Sequence, residues 1–150
     1  MDNKVMWDIV KKISDNIKYN LRLYHWTYSF ENRLDIEKDG SITYVDKYFD
    51  AKFRYNFESF EGSSFEDIFE LIAHEFVHIF TSTWTQYFNW EFDQLALYIG
   101  KNQLAMIYNT ILTVEEQKTC ILAKFCISKR EKEHRYKKLK KEVNNLLQIT

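Results

Sequence analysis

The sequence predicts an α+β protein in which a small antiparallel sheet of three or four strands packs on a helical half. Apolar residues recur at helical spacing near the N-terminus and through most of the second half of the chain. Between these regions, residues 22–57 are rich in aromatic and β-branched residues with turn signals among them, which is typical of strands. With 150 residues and no Pro, the chain is expected to form one domain around a single core.

The N-terminal part, residues 1–62, is expected to supply one helix and the sheet. Val5 to Ile17 has an apolar stripe at helical spacing and predicts a helix that packs on the sheet. The strand-like segments are 22–30, 34–36, 42–45 and 51–57. Asp39-Gly40 predicts a hairpin between the second and third of them, and a further turn is expected around Asp46-Lys47.

Residues 63–127 are expected to form the helices of the functional site, and the first of these spans Ser63 to Ser82. Ser63 and Glu66 match the capping-box pattern, and Asp67 adds a negative charge in the first turn. Apolar residues follow at helical spacing without Gly or Pro. On such a helix His74 and His78 lie one turn apart and face the same way.

The five residues from His74 to His78, HEFVH, match the HExxH motif of zinc peptidases. Two imidazoles one turn apart can bind a single Zn²⁺, and Glu75 beside them can hold a zinc-bound water and act as general base. Two core histidines would be the plain structural alternative. That alternative leaves unpaired His and Glu in an apolar setting, which is costly. The pattern therefore predicts a zinc site with His74 and His78 as ligands.

A catalytic zinc has a third protein ligand, and the motif does not supply it. Trp84 stands where HExxHxxGxxH proteins have their third His, so a carboxylate further along the chain is expected. An aromatic connector at 84–90 should lead to a helix over 92–110, interrupted at Gly100, and to another capped by Thr113. Cys120 is a further possible ligand. The candidate carboxylates are Glu91, Asp93, Glu115 and Glu116, and helical phase leaves Glu91, Glu115 and Glu116 open.

Composition and charge indicate which kinds of partner and which cellular location are expected. The net charge of −1 predicts no partner by bulk charge, and no apolar run has the length of a membrane span. Without a signal-peptide core at the N-terminus, a cytoplasmic location is expected, with Cys120 and Cys126 as reduced thiols. Residues 128–150 form a basic, helical tail with eight Lys and Arg over 129–141. We interpret it as a solvated helix face, so nucleic acid is not the expected partner.

FELIAHEFVHIF at 69–80, followed by EQKTCILA at 116–123, resembles the small phage- and prophage-encoded zincin-like metallopeptidases of the glutamate type. In that family a helix with the pattern E-Q-x-[VT]-x-x-L-A supplies a glutamate below the HExxH helix. The resemblance implies a minimal zincin-like fold, with His74, His78 and Glu116 as zinc ligands and Glu75 as base. A peptidase would act on a protein or peptide substrate, and a phage-encoded one would act in the cytoplasm of its host cell. The long aromatic segment and the basic tail have no counterpart in this pattern.

Two functions follow from these expectations. The first is a zinc-dependent hydrolase, most simply a peptidase, with an oxyanion donor among Tyr87, Tyr98 and His25. The second is a catalytically silent, zinc-stabilised phage protein that binds a host or regulatory protein. An open cleft at the metal favours the enzyme, whereas a fourth protein ligand favours the binding protein.

Overall fold

A computed structural model describes residues 2–34, 40–45, 49–95, 101–130 and 133–148, with the backbone alone for 42–45, 80, 82–95, 101, 104 and 125–130. Within these ranges the chain forms four α-helices and a three-stranded sheet, which confirms the predicted α+β class. The helices are α1 (Asn3–Asn20), α2 (Phe65–Leu95), α3 (Lys101–Arg130) and α4 (His134–Gln148). The strands are β1 (Thr27–Asn32), β2 (Gly40–Val45) and β3 (Asp50–Tyr55), and a 3₁₀ turn spans Phe57–Phe60.

The sheet is mixed, so the prediction of a purely antiparallel sheet is wrong. The strand order is β1-β3-β2, with β3 antiparallel to β2 and parallel to β1. Parallel pairing requires a long connection between the paired strands, and here that connection contains β2 itself. The predicted hairpin partner at 35–36, Asp39, and the turn at Asp46-Lys47 lie outside the described residues.

The central strand β3 supplies the inner face of the sheet. Ala51, Phe53 and Tyr55 are buried and alternate with more exposed residues, as the sequence pattern predicts. The ring of Phe53 stacks on that of Phe76 of α2, with 4.4 Å between centroids. This contact fixes the middle of α2 against the sheet, next to the predicted metal-binding residues.

Helix α1 confirms the predicted N-terminal helix and extends it at both ends. The Asp2 side chain accepts a hydrogen bond from the Lys4 amide at 2.9 Å and caps the helix. Its apolar stripe is buried against α2 and α4: Ile9, Val10, Ile13 and Ile17. The exposed edge of α1 contacts the sheet through Trp7, whose ring centroid lies 4.9 Å from that of Phe30 in β1.

The strand predicted from residue 22 begins five residues later, at Thr27. Residues 21–25 instead form turns, in which Arg22 adopts a left-handed backbone with φ of 56°. His25 lies on this exposed turn and not within β1.

The C-terminal basic segment forms α4, and its apolar face belongs to the core. Tyr136, Leu139 and Val143 are buried, and the Tyr136 ring packs edge-on against Phe65 and Phe69 of α2. Lysines on the other side of the helix, including Lys137, Lys138 and Lys141, are exposed. In the described parts of the chain, no helix has the length and apolar character that crossing a membrane requires.

Candidate metal centre

Helix α2 begins one residue later than the capping pattern at Ser63 and Glu66 predicts. The Ser64 hydroxyl and the Asp67 carboxylate form the reciprocal cap instead: the Asp67 amide donates to Ser64 Oγ at 3.2 Å, and the Ser64 amide donates to Asp67 Oδ2 at 3.1 Å. These hydrogen bonds hold the pKa of Asp67 below its usual range. Glu66 accepts a hydrogen bond from Lys140 of α4 and thereby ties this first turn to the C-terminal helix.

The same helix continues without a break to Leu95, so the predicted aromatic connector is helical and no separate helix starts at Phe92. At 1.5 Å per residue, Glu91 is ~20 Å along the axis from His78, and Asp93 is further still. Neither carboxylate can therefore complete a site on His74 and His78. Helical phase alone kept Glu91 among the candidate ligands, and the length of α2 now excludes it.

Helix α3 also runs as one element, from Lys101 to Arg130, and the predicted start at Thr113 is wrong. Thr113 Oγ1 donates to the Asn109 carbonyl at 2.8 Å, as in a helix interior. Small side chains line the α3 face that meets α2: Thr119 and Ala123 are buried, and the Thr81 and Thr119 hydroxyls lie 3.0 Å apart. Their small size lets the two helices approach closely enough for side chains of α3 to contact the histidines.

Three side chains converge at this contact. Nε2 of His74 lies 3.1 Å from Nε2 of His78, and the two rings are nearly perpendicular. The Glu116 carboxylate reaches both, with Oε1 3.1 Å from His74 Nε2 and Oε2 3.5 Å from His78 Nε2. Donor atoms bound tetrahedrally to one zinc ion lie roughly 3.3–3.6 Å from one another. The observed separations are within about 0.2 Å of that range, so this donor set matches zinc in both type and spacing.

The second nitrogen of each imidazole also has a neighbour on α3. Glu115 Oε1 lies 3.6 Å from His78 Nδ1 and 3.4 Å from the Thr81 hydroxyl. Cys120 Sγ lies 3.7 Å from His74 Nδ1. Metal-binding histidines are commonly oriented by such a partner on the nitrogen that does not bind the metal. Glu115, one of the predicted candidate ligands, therefore lies behind His78, on the side away from Glu116.

Glu75 lies beside the histidines, and its side chain is directed toward the sheet. Its residue is 6% exposed, and its carboxylate oxygens are within 4.8 Å of ring nitrogens of His74 and His78. Gly40, the first residue of β2, allows this arrangement because a Cβ there would be 3.3 Å from Glu75 Cγ and 3.2 Å from Tyr55 Cδ1. Burial raises the pKa of the Tyr55 hydroxyl, and the negative charge of Glu75 raises it further.

A cleft of about 410 Å³ leads to His74 and Glu75. It runs between the start of β2, the 3₁₀ turn and the first turns of α2. Its lining residues are Gly40, Ser59, Phe60, Ser63, Asp67, Ile68, Glu70, Leu71, His74 and Glu75. His74 and Glu75 are thus accessible to a small segment of another molecule.

The structure describes the side chain of only one of the three candidate oxyanion donors. His25 is on the exposed turn before β1, Tyr98 lies outside the described residues, and Tyr87 lies where α2 is described by its backbone alone. Tyr55, which the sequence pattern showed only as a core strand residue, is the tyrosine beside Glu75. No sequence signal marked it, because its proximity to Glu75 depends on the pairing of β2 with β3.

No protein family model matches the chain, and no curated protein or solved structure is significantly similar to it.

Proposed function

We propose that the protein is a zinc-dependent hydrolase that cleaves proteins or peptides. The observation that supports it is the convergence of His74 Nε2, His78 Nε2 and the Glu116 carboxylate at zinc-ligand spacing, beside a cleft that His74 and Glu75 line. His74, His78 and Glu116 would hold the ion. When bound, zinc supplies a Lewis acid that makes a coordinated water acidic near neutral pH.

Glu75 is the proposed general base. Its carboxylate lies within 4.8 Å of ring nitrogens of His74 and His78, close enough to hydrogen-bond a water held near them. Glu75 accepts a proton from that water and delivers it to the leaving amine nitrogen. Because the residue is 6% exposed, this proton transfer is shielded from bulk solvent.

The sheet supports an extended polypeptide as the substrate class. Among the described strands β2 pairs only with β3, so its other edge has main-chain groups available for pairing. Its first residue, Gly40, contacts Leu71 and Glu75 of α2 and also lines the cleft. An extended peptide paired with this edge would pass directly over Glu75. The resemblance to phage- and prophage-encoded zincin-like proteins supports the same chemistry, with action in the cytoplasm of a host cell.

Hydrolysis is tested with a peptide library made by digesting a bacterial proteome, in which new amino termini are identified by mass spectrometry. We expect zinc-loaded wild-type protein to generate them and Glu75→Gln to generate none, with zinc content and melting temperature unchanged. Glu70→Gln is the matched control, since Glu70 lines the same cleft one turn before His74. Cleavage by Glu75→Gln at the wild-type rate would refute the mechanism.

Cys120 favours the second candidate, a zinc-stabilised binding protein without catalysis. Its Sγ, a His74 nitrogen and a Glu116 oxygen all lie within 4.8 Å of one another, so a fourth protein ligand is within reach. Cobalt substitution separates the two proposals, because a thiolate bound to Co²⁺ gives a charge-transfer absorption in the near ultraviolet. The hydrolase proposal predicts that no such band appears and that Cys120→Ser leaves the zinc affinity unchanged. A band that Cys120→Ser abolishes would favour the binding protein.

A further inference from the structure

The outward face of α3 is apolar and has no role in the metal centre. Ile107, Val114 and Ile121 recur every seven residues and are 42%, 40% and 67% exposed. No charged residue occurs from 102 to 114, although the described side chains of that segment are mostly exposed. A solvated helix normally carries charges on such a face, so this composition indicates a surface that is covered.

The apolar residues follow the spacing of a coiled coil. Steps of three and four residues alternate along the sequence through Leu104, Ile107, Ile111, Val114, Lys118 and Ile121, which we name the outer stripe. At 100° per residue, the outer stripe lies on the side of α3 opposite Glu116, away from α2. Neither the fold nor the metal centre therefore accounts for its spacing.

We propose that the outer stripe is the dimer interface of this protein, formed with α3 of a second copy. Ile107, Tyr108, Val114, Ile121 and Leu122 are all exposed on or beside the stripe. With Thr110, Gln117 and Lys118, which are also exposed, the face presents roughly 800 Å² of accessible surface if each residue contributes about 100 Å². A stable interface buries about that area from each partner, so the pairing requires nearly the whole face. The pairing does not depend on the proposed hydrolase, because it uses the other side of the helix.

Lys118 selects the direction of the pairing. In a parallel dimer each Lys118 would face its own copy across the stripe, and two ammonium groups would be pressed together. In an antiparallel dimer Lys118 lies opposite Ile107 of the second copy, and Ile111 lies opposite Val114. The lysine stem then covers Ile107 while its charge reaches solvent at the rim. The two chains are therefore antiparallel.

The test is sedimentation equilibrium of the full chain and two single variants. Val114→Glu places an unpaired carboxylate against Ile111 of the second copy and should raise the dimer dissociation constant roughly 100-fold or more. Ile107→Glu, at an almost equally exposed position, places its carboxylate opposite Lys118 and should retain the dimer. Leu112→Glu is the matched control: Leu112 is 39% exposed but lies on the other side of α3, so dimerisation should be unchanged.

Melting curves and zinc content of each variant show whether the monomer fold is intact. A wild-type chain that remains monomeric up to its highest soluble concentration overturns the proposal. If that monomer binds vesicles of phosphatidylcholine and phosphatidylglycerol, the outer stripe covers a membrane surface instead. Equal dissociation by Ile107→Glu and Val114→Glu refutes the antiparallel arrangement.

Discussion

Glu115 and Glu116 are consecutive on α3, yet their carboxylates approach opposite nitrogens of His78. Glu116 Oε2 lies 3.5 Å from Nε2, and Glu115 Oε1 lies 3.6 Å from Nδ1. One imidazole is thus held between two neighbouring residues of the facing helix. We therefore propose different roles for the two residues: Glu116 binds the proposed ion, and Glu115 orients the His78 ring.

Glu116→Ala should abolish zinc binding at stoichiometric metal, because it removes the carboxylate that lies 3.1 Å from His74 Nε2 and 3.5 Å from His78 Nε2. Metal content after dialysis measures it. Glu91→Ala is the control, since Glu91 lies ~20 Å along α2 from His78. Zinc lost from Glu91→Ala but kept by Glu116→Ala would show that another carboxylate completes the site.

Glu115→Gln should weaken zinc binding about 10–100-fold without changing the stoichiometry at saturation. The amide keeps the size and the contact with Thr81 but not the charge near His78 Nδ1. Competition with a chromophoric chelator gives the affinity. An unchanged affinity would deny Glu115 an orienting role, and complete loss of zinc would make it a ligand.

Gly40→Ala should reduce cleavage tenfold or more while leaving zinc affinity at the wild-type value. The added Cβ would be 3.2 Å from Leu71 Cδ2 and from Tyr55 Cδ1 and 3.3 Å from Glu75 Cγ, so these side chains, including the proposed general base, must shift to admit it. Gly62→Ala is the comparison. Gly62 has φ of 77°, and a Cβ added there would meet no atom within 4 Å. Alanine at this position therefore costs about 1–2 kcal/mol of stability through backbone strain and should leave cleavage unchanged. A fully active Gly40→Ala would argue against the proposed position of Glu75.

Asp67→Asn should lower the melting temperature at neutral pH, and the difference from wild type should shrink in acid. Hydrogen bonds from Ser64 lower the pKa of Asp67 in the folded state, relative to 3.8 when unperturbed. Because the folded-state value is the lower one, its contribution is present above pH ~4 and is lost as the pH falls through the folded-state pKa. Thermal melts from pH 7 to pH 2 measure it. A Ser64→Ala background removes the hydroxyl but keeps the backbone amide, so the pH-dependent difference should become smaller; an undiminished difference would show that the Ser64 hydroxyl does not lower the pKa of Asp67.

The HExxH pair could be predicted because its geometry depends only on helical periodicity, which the sequence shows directly. The third carboxylate depended on how far α2 extends. Trp84 to Trp90 suggested a connector, but this run contains no Gly or Pro, so nothing ends the helix there. The N-cap of α2 was mispredicted because two pairs fit the capping pattern, Ser63 with Glu66 and Ser64 with Asp67. The second pair forms the cap.

Contacts between segments that are distant in the chain could not be predicted from the sequence. Tyr55 and Gly40 reach Glu75 only because β2 pairs with β3, and strand pairing is set by tertiary packing. The parallel alignment of β1 with β3 leaves no local signal either. Cys120 showed its phase relative to Glu116, but not which nitrogen of His74 it would face.

The position of β3 between its two neighbours also sets an order of assembly. Val45 and Asp50 are paired partners five residues apart, whereas Thr27 pairs with Asp50 across 23 residues. Closing the shorter loop costs less entropy, so we expect β2 and β3 to associate before β1 joins them. Substitutions in β3 such as Phe53→Leu should therefore slow refolding, whereas Phe30→Leu in β1 should mainly accelerate unfolding. Glu75, the proposed general base, packs against β2 and β3, so we expect its surroundings to form in the early phase of folding.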